Sequence, residues 1–110
     1  MASGSAAVIA LSVLGDATRR SILERLAEGP LNVGQITDRV TVTQSAVSQH
    51  LRVMKKAGLV TEEARGTRRV YRLDPRGIAE MREWLDNVWS KALETFRDFA
   101  DANAEPEVSK

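Results

Sequence analysis

The sequence predicts a mainly α-helical domain carrying one small β-hairpin. Three observations predict it. In three segments between Asp16 and Gly58, apolar residues recur at spacings of three and four, the period of a helix buried along one side. Residues 59–73 switch to two short β-prone runs around Arg65-Gly66-Thr67. Helical spacing resumes after Asp74-Pro75 and holds to about Ala100.

A chain of 110 residues, 43% hydrophobic and 28% charged, has the size and composition of one soluble globular domain. No apolar run approaches the roughly 20 residues of a membrane span, and Met1–Ser5 lacks the basic start of a secretory signal. A cytoplasmic protein without membrane contact is expected. The absence of cysteine excludes disulfides, thiolate metal sites, thiol redox sensing and a cysteine nucleophile, and the single histidine argues against histidine-built metal centres. No cofactor, metal or catalytic set is therefore expected. The net charge of +1 hides an uneven distribution: residues 41–73 hold seven bases and two acids, residues 74–110 five bases and nine acids. A basic middle beside an acidic end is the footprint of a nucleic-acid surface.

Met1–Ser5 is small and polar and reads as a flexible N-terminus, ahead of a folded domain over 6–100. Ala6–Leu14 is almost entirely apolar, too short to span a bilayer and too hydrophobic for an exposed helix, so it should pack against another element. Gly15 breaks it. Asp16 caps a second helix to about Glu28, with Ala17, Ile22, Leu23 and Leu26 apolar and Gly29-Pro30 as the stop. Asn32 opens a short third helix, with Gln35 placed for a capping box and Val33, Ile36 and Val40 facing inward. Thr41-Val42 is expected to turn tightly into the fourth.

That fourth element, Thr43–Val60 (TQSAVSQHLRVMKKAGLV), carries most of the functional pattern. Ala46, Val47, His50, Leu51, Val53, Met54 and Ala57 form its inner stripe. Thr43 suits the N-cap, and Gly58 the left-handed position that ends a helix. The outer face, Ser45, Ser48, Gln49, Arg52, Lys55 and Lys56, contains no acid, whereas a solvated helix face usually interleaves Glu and Lys. Short amides and hydroxyls can read base edges, and cations can meet phosphates. A plain basic surface helix is the alternative. His50 lies on the inner side and reads as structural; it points away from Ser48, so no hydrolytic triad forms.

Leu59–Ala64 and Arg68–Leu73 are strand candidates, with Gly66 free to take positive φ in the turn between them. Arg65, Arg68, Arg69 and Arg72 fall within eight residues, hard to explain as packing. A hairpin appended to a helix-turn-helix is a wing, and arginines on it can lie along phosphates. A solvated hairpin guarding a sheet edge is the bland alternative. The whole reads as a winged helix-turn-helix of five helices and a two-stranded wing. Asp74-Pro75 is an N-cap followed by proline at N1. In the last helix, Ile78, Met81, Leu85, Val88, Ala92, Phe96 and Phe99 step by three and four, a near-heptad seam that Trp84, Trp89 and Leu93 widen. At 1.5 Å per residue it spans about 37 Å, more than so small a core can cover. A second copy is the economical cover, with the apolar first helix as companion. The expected interface is Ile9, Val13, Ile78, Met81, Leu85, Val88, Trp89 and Ala92. Residues 101–110 read as a disordered acidic tail.

Element order and residues together resemble the ArsR type of winged helix-turn-helix repressors of bacteria. LGDATRRSILERLAEGPLNVGQI is similar to its second and third helices, TQSAVSQHLRVMKKAGLV to its recognition helix and the entry to the wing, and EEARGTRRVYRLDP to the wing and the step into the last helix. The resemblance covers about Leu11–Leu85. It implies a homodimer held by the first and last helices that sits on a double-stranded operator and blocks transcription, often of its own operon. Where metal-sensing members carry Cys-x-Cys in the third helix, this chain has Asn32 and Gly34; its last helix has acids such as Asp86 but no histidine. It resembles a branch without the familiar metal or thiol sites, so that a small-molecule inducer would act by another route or be absent.

Thr43, Gln44, Ser45, Ser48 and Gln49 are thus the candidates nearest the bases, and Arg52, Lys55, Arg65, Arg68 and Arg69 the candidates for backbone contact. Trp84 and Trp89 suit packing or the wall of a pocket at the seam. A different class of function stays open: a protein-interaction module, its basic face meeting an acidic partner and its long helix pairing with another protein.

Overall fold

The computed structural model describes residues 2–103, with side-chain surroundings from Ser5 onward. The elements are α1 (Ala2–Val13), α2 (Ala17–Ala27), β1 (Leu31–Asn32), α3 (Val33–Thr37), α4 (Gln44–Lys56), β2 (Val60–Arg65), β3 (Arg68–Leu73) and α5 (Pro75–Ala102). The strands form one antiparallel sheet in the order β1-β3-β2. This is the mainly helical, winged helix-turn-helix architecture that the patterning predicts.

Helices begin where a polar side chain intercepts free amides of the first turn. Asp16 accepts from the amides of Thr18 and Arg19 at 2.8 and 3.0 Å. Asn32 and Gln35 exchange two such bonds, at 2.8 and 2.9 Å, and complete a capping box. Thr43 Oγ1 accepts from the Ala46 amide at 3.1 Å, and Asp74 from the Arg76 amide at 3.0 Å. The recognition-type helix α4 ends in a Schellman turn: Gly58 takes φ +81°, its amide donates to the Lys55 carbonyl at 3.0 Å, and the Leu59 amide donates to the Met54 carbonyl at 2.9 Å. Met54 and Leu59 are fully buried beside this turn.

The core gathers Ile22, Leu26, Ile36, Val47, Leu51, Met54, Leu59 and Val60, so α4 hangs from the centre of the domain by its inner stripe. Helix α5 contributes no fully buried residue; Ile78 and Met81 only cover the edge of the core. At 1.5 Å per residue its 28 residues run about 42 Å. The protein therefore measures 74 × 30 × 19 Å with a radius of gyration of 19.9 Å, against about 13 Å for a compact chain of this length.

Several boundaries differ from the sequence expectation. Helix α1 already includes residues 2–5, which were expected to be a flexible start; Met1 lies outside the described residues. Helix α3 ends at Thr37, and 38–43 form a looser connection than the expected turn at Thr41-Val42. Val40 and Val42 pin that connection to the core. The strand β1 was not expected: Leu31 and Asn32 pair with Tyr71 and Val70, which adds a third strand beside the wing. The hairpin turn is Gly66-Thr67 alone, with Arg65 paired to Arg68, and only Gly66 carries positive φ, +63°, as the first turn position of a type II′ connection requires. Helix α5 continues to Ala102; 104–110, expected as most of a disordered tail, lie outside the described residues.

Candidate nucleic-acid interface

Inward anchoring of α4 leaves one face to solvent. Gln44, Ser45, Gln49, Arg52, Lys55 and Lys56 are exposed, Ser48 is half-buried, and the capping Thr43 is exposed at the start. An open groove of about 490 Å³ runs from the start of α3 to the wing, lined by Asn32, Gly34, Gln44, Ser48, Arg68 and Arg69 among others. The fold thus brings Gln44 and Ser48 together with two wing arginines. Lys55 stands near the other end of α4, and Arg65 at the wing tip.

The two-residue turn fixes which side chains share a face of the hairpin. Glu62 opposes Tyr71 and Glu63 opposes Val70, so strand alternation puts Glu62, Arg69 and Tyr71 on one side and Glu63, Arg65 and Arg72 on the other. Glu62 bonds to Arg69 and lies 3.5 Å from Lys55 of α4. Glu63 lies 2.9 Å from Arg65 and 3.1 Å from Arg72. Arg52 and Arg68 have no acid partner among the described residues. The two acids of the wing, Glu62 and Glu63, are hidden in a count of its basic residues; the register about a two-residue turn is the signal that pairs them.

These pairings move the carboxyls. The hydrogen bond from Arg65, then the charge of Arg72, holds Glu63 below the usual carboxylate range. Burial pushes Glu62 up, but hydrogen bonding to Arg69 and Tyr71 and the charge of Lys55 outweigh it, and it too ends lowered. Tyr71 is raised, first by burial and then by Glu62. Because both carboxyls hold their protons less tightly folded than unfolded, their contribution to stability is present above the usual carboxylate range and lost as pH falls from that range through their lowered folded values. Thermal melts between pH 7 and pH 3 are expected to show that decline, and Glu62→Gln to make it shallower.

His50 faces inward, where its Nδ1 accepts from Arg19 Nε at 3.2 Å; Arg19 Nη1 also donates to the Val13 carbonyl at 3.1 Å. A polar strap therefore joins the end of α1 to the inner side of α4. Of the residues expected to pair two copies, Val13, Ile78 and Met81 are half-buried against their own core, whereas Ile9, Leu85, Val88, Trp89 and Ala92 are exposed. Among the described residues no helix is long and apolar enough to cross a membrane.

A basic, acid-free helix face held beside an arginine-bearing hairpin defines a winged helix-turn-helix protein of the transcription-regulator class. Residues 16–62 match the model of the bacterial regulatory protein arsR family. Over 96 residues the chain is 48% identical to the HTH-type transcriptional regulator Rv2034 of Mycobacterium tuberculosis H37Rv, covering 87% of this chain and 90% of that one. A crystal structure described as a possible transcriptional regulator for arsenical resistance superposes with a TM-score of 0.69 at 40% identity, covering 84% of this chain and 94% of the other. The solution structure of Mb0332 from Mycobacterium bovis, described as a homodimeric winged helix-turn-helix DNA-binding domain, has a TM-score of 0.65 at 26% identity, with 83% and 84% covered. The chain belongs to the ArsR family of bacterial regulatory proteins.

Proposed function

We propose that this regulator binds an imperfect palindrome in double-stranded promoter DNA as a homodimer and represses transcription by occupying the site. The observation that carries the reading is the convergence of the acid-free face of α4 and the wing arginines on one groove. In a two-fold dimer the two α4 helices enter successive major grooves, about 34 Å apart. Gln44, Ser45, Ser48 and Gln49 face the base edges, Thr43 sits at the leading end, and Arg52, Lys55, Arg65, Arg68 and Arg69 meet phosphates. The exposed apolar row of α5 supports pairing, as does the homodimeric state given for the Mycobacterium bovis relative. The protein works in the cytoplasm, with no catalytic step and no cofactor. Any inducer acts without thiol chemistry, since the chain has no cysteine.

Fluorescence anisotropy at low salt against the protein's own promoter fragment and random duplex tests the reading. Preference for the promoter fragment is expected, and equal binding to both overturns it. Two variants separate the roles. Gln49→Ala is expected to cost about 1–3 kcal/mol on the preferred sequence and little on random DNA. Arg68→Ala is expected to weaken all sequences alike and to reduce the salt slope by about 1 per protomer.

A further inference from the structure

We infer that Glu62 is a specificity-determining positioning residue, which holds the wing at a fixed angle to the recognition helix and withholds two cations from indiscriminate phosphate binding. The inference rests on the DNA-binding reading above.

Glu62 has an unusual place for an acid in the most basic part of the chain. It sits on β2 with only 14% of its side chain exposed, and its carboxylate meets Lys55 from α4 and Arg69 from β3, with the Tyr71 hydroxyl beside it. Lys55 belongs to the helix whose face reads bases, and Arg69 and Tyr71 belong to the strand that runs to the wing tip. Among the described residues, Glu62 alone makes an ion pair between α4 and the wing. Only the carboxylate is enclosed: the Lys55 and Arg69 side chains are 54% and 67% exposed, so each pair alone is weak, and it is the one acid shared by both cations that links helix and wing. The cations keep spare donors, since an ammonium has three and a guanidinium five. With one donor of each engaged by Glu62, the remaining donors point away from the carboxylate. Arg69 lines the same groove as Gln44 and Ser48, so fixing it beside Lys55 of α4 couples phosphate contact to the register in which bases meet that helix.

Glu63 is the natural control. It also binds two cations, Arg65 and Arg72, but all three lie on the hairpin's other face and none belongs to α4. Removing its charge frees arginines without loosening the junction between helix and wing.

The test compares Glu62→Gln with Glu63→Gln in the full-length protein, measuring binding to the preferred promoter fragment and to random duplex over a salt series. Both are expected to bind random DNA more tightly, with salt slopes steeper by about 1 to 2 per protomer. Only Glu62→Gln is expected to lower the ratio of specific to random affinity, by roughly tenfold, since that ratio depends on register and not on charge alone. Tyr71→Phe serves as a charge-neutral variant should Glu62→Gln fold poorly. It is expected to lower the ratio with the salt slope unchanged. An unchanged ratio in Glu62→Gln, or an equal fall in Glu63→Gln, overturns the inference. A wild-type protein without sequence preference would instead sink the function proposed above.

Discussion

Alanine in place of Gly77 is expected to lower the melting temperature by roughly 15 °C, a large effect for one methyl group. Gly77 lies in the first turn of α5, against the end of α4, and a Cβ there would stand 1.9 Å from the Gly58 carbonyl oxygen and 2.8 Å from its carbon. Neither atom belongs to a flexible side chain, so relief requires moving a helix end. Movement is resisted on both sides. Gly58 is locked in the Schellman turn at φ +81°, and the Asp74 amide ties the start of α5 to the Leu59 carbonyl at 2.8 Å. Overpacking of this kind costs about 3 kcal/mol when the obstacle cannot step aside. Gly34→Ala is the control, because a Cβ there meets only Asn32 Oδ1 at 3.4 Å, an ordinary contact. A melting temperature within about 2 °C of wild type for Gly77→Ala would show that the two helix ends separate freely. Because this contact sets α5 against α4, the folded fraction of the variant is also expected to bind DNA more weakly, although Gly77 is remote from the groove.

Gly77 also marks where sequence reading stops. The capping residues Asp16, Asn32 with Gln35, Thr43 and Asp74 announce themselves because each bonds within three residues of its own position, and Gly58 because a helix end needs positive φ. The outer face of α4 was legible for a similar reason: helical spacing alone decides which residues stand opposite the buried stripe. The requirement at Gly77 arises instead from the approach of two helix ends nearly twenty residues apart, which no local pattern encodes. Strand β1 is hidden likewise, since two residues have no periodicity and Leu31 becomes a strand residue only by pairing with Tyr71. The division of the wing arginines hung on a single residue of turn length. With the turn read as Arg65-Gly66-Thr67, Ala64 faces Arg68; with the observed Gly66-Thr67, Arg65 does, and Glu62 falls opposite Tyr71. Charge counting found a basic segment, but register decides which cations remain available to DNA.

The other large effect is expected at the unpartnered row of α5. Trp89→Glu should convert a dimer into a species of 12.1 kDa, the mass of one chain, and lower promoter affinity by roughly a hundredfold or more. Trp89 is 62% exposed, and Leu85, Val88, Leu93, Phe96 and Phe99 flank it along the helix with Val8 and Ile9 of α1, each about half exposed or more. So long an apolar row on a 110-residue protein is a surface that association would cover. In a two-fold interface each substitution occurs twice, so two carboxylates enter the same apolar seam. The effective penalty for enclosing an unpaired charge is several kcal/mol per ion, enough to shift dimerisation by orders of magnitude. DNA affinity should follow, because a second half-site bound through a linked copy adds avidity that a lone domain lacks. Binding to random DNA at low salt is expected to persist more fully, since the groove between α4 and the wing lies within one chain. Lys91→Glu, an exposed position outside the apolar row, controls for adding a negative charge to α5. Light scattering of Trp89→Glu at micromolar concentration decides the matter: a protein that stays dimeric with full promoter affinity would move the interface away from α5.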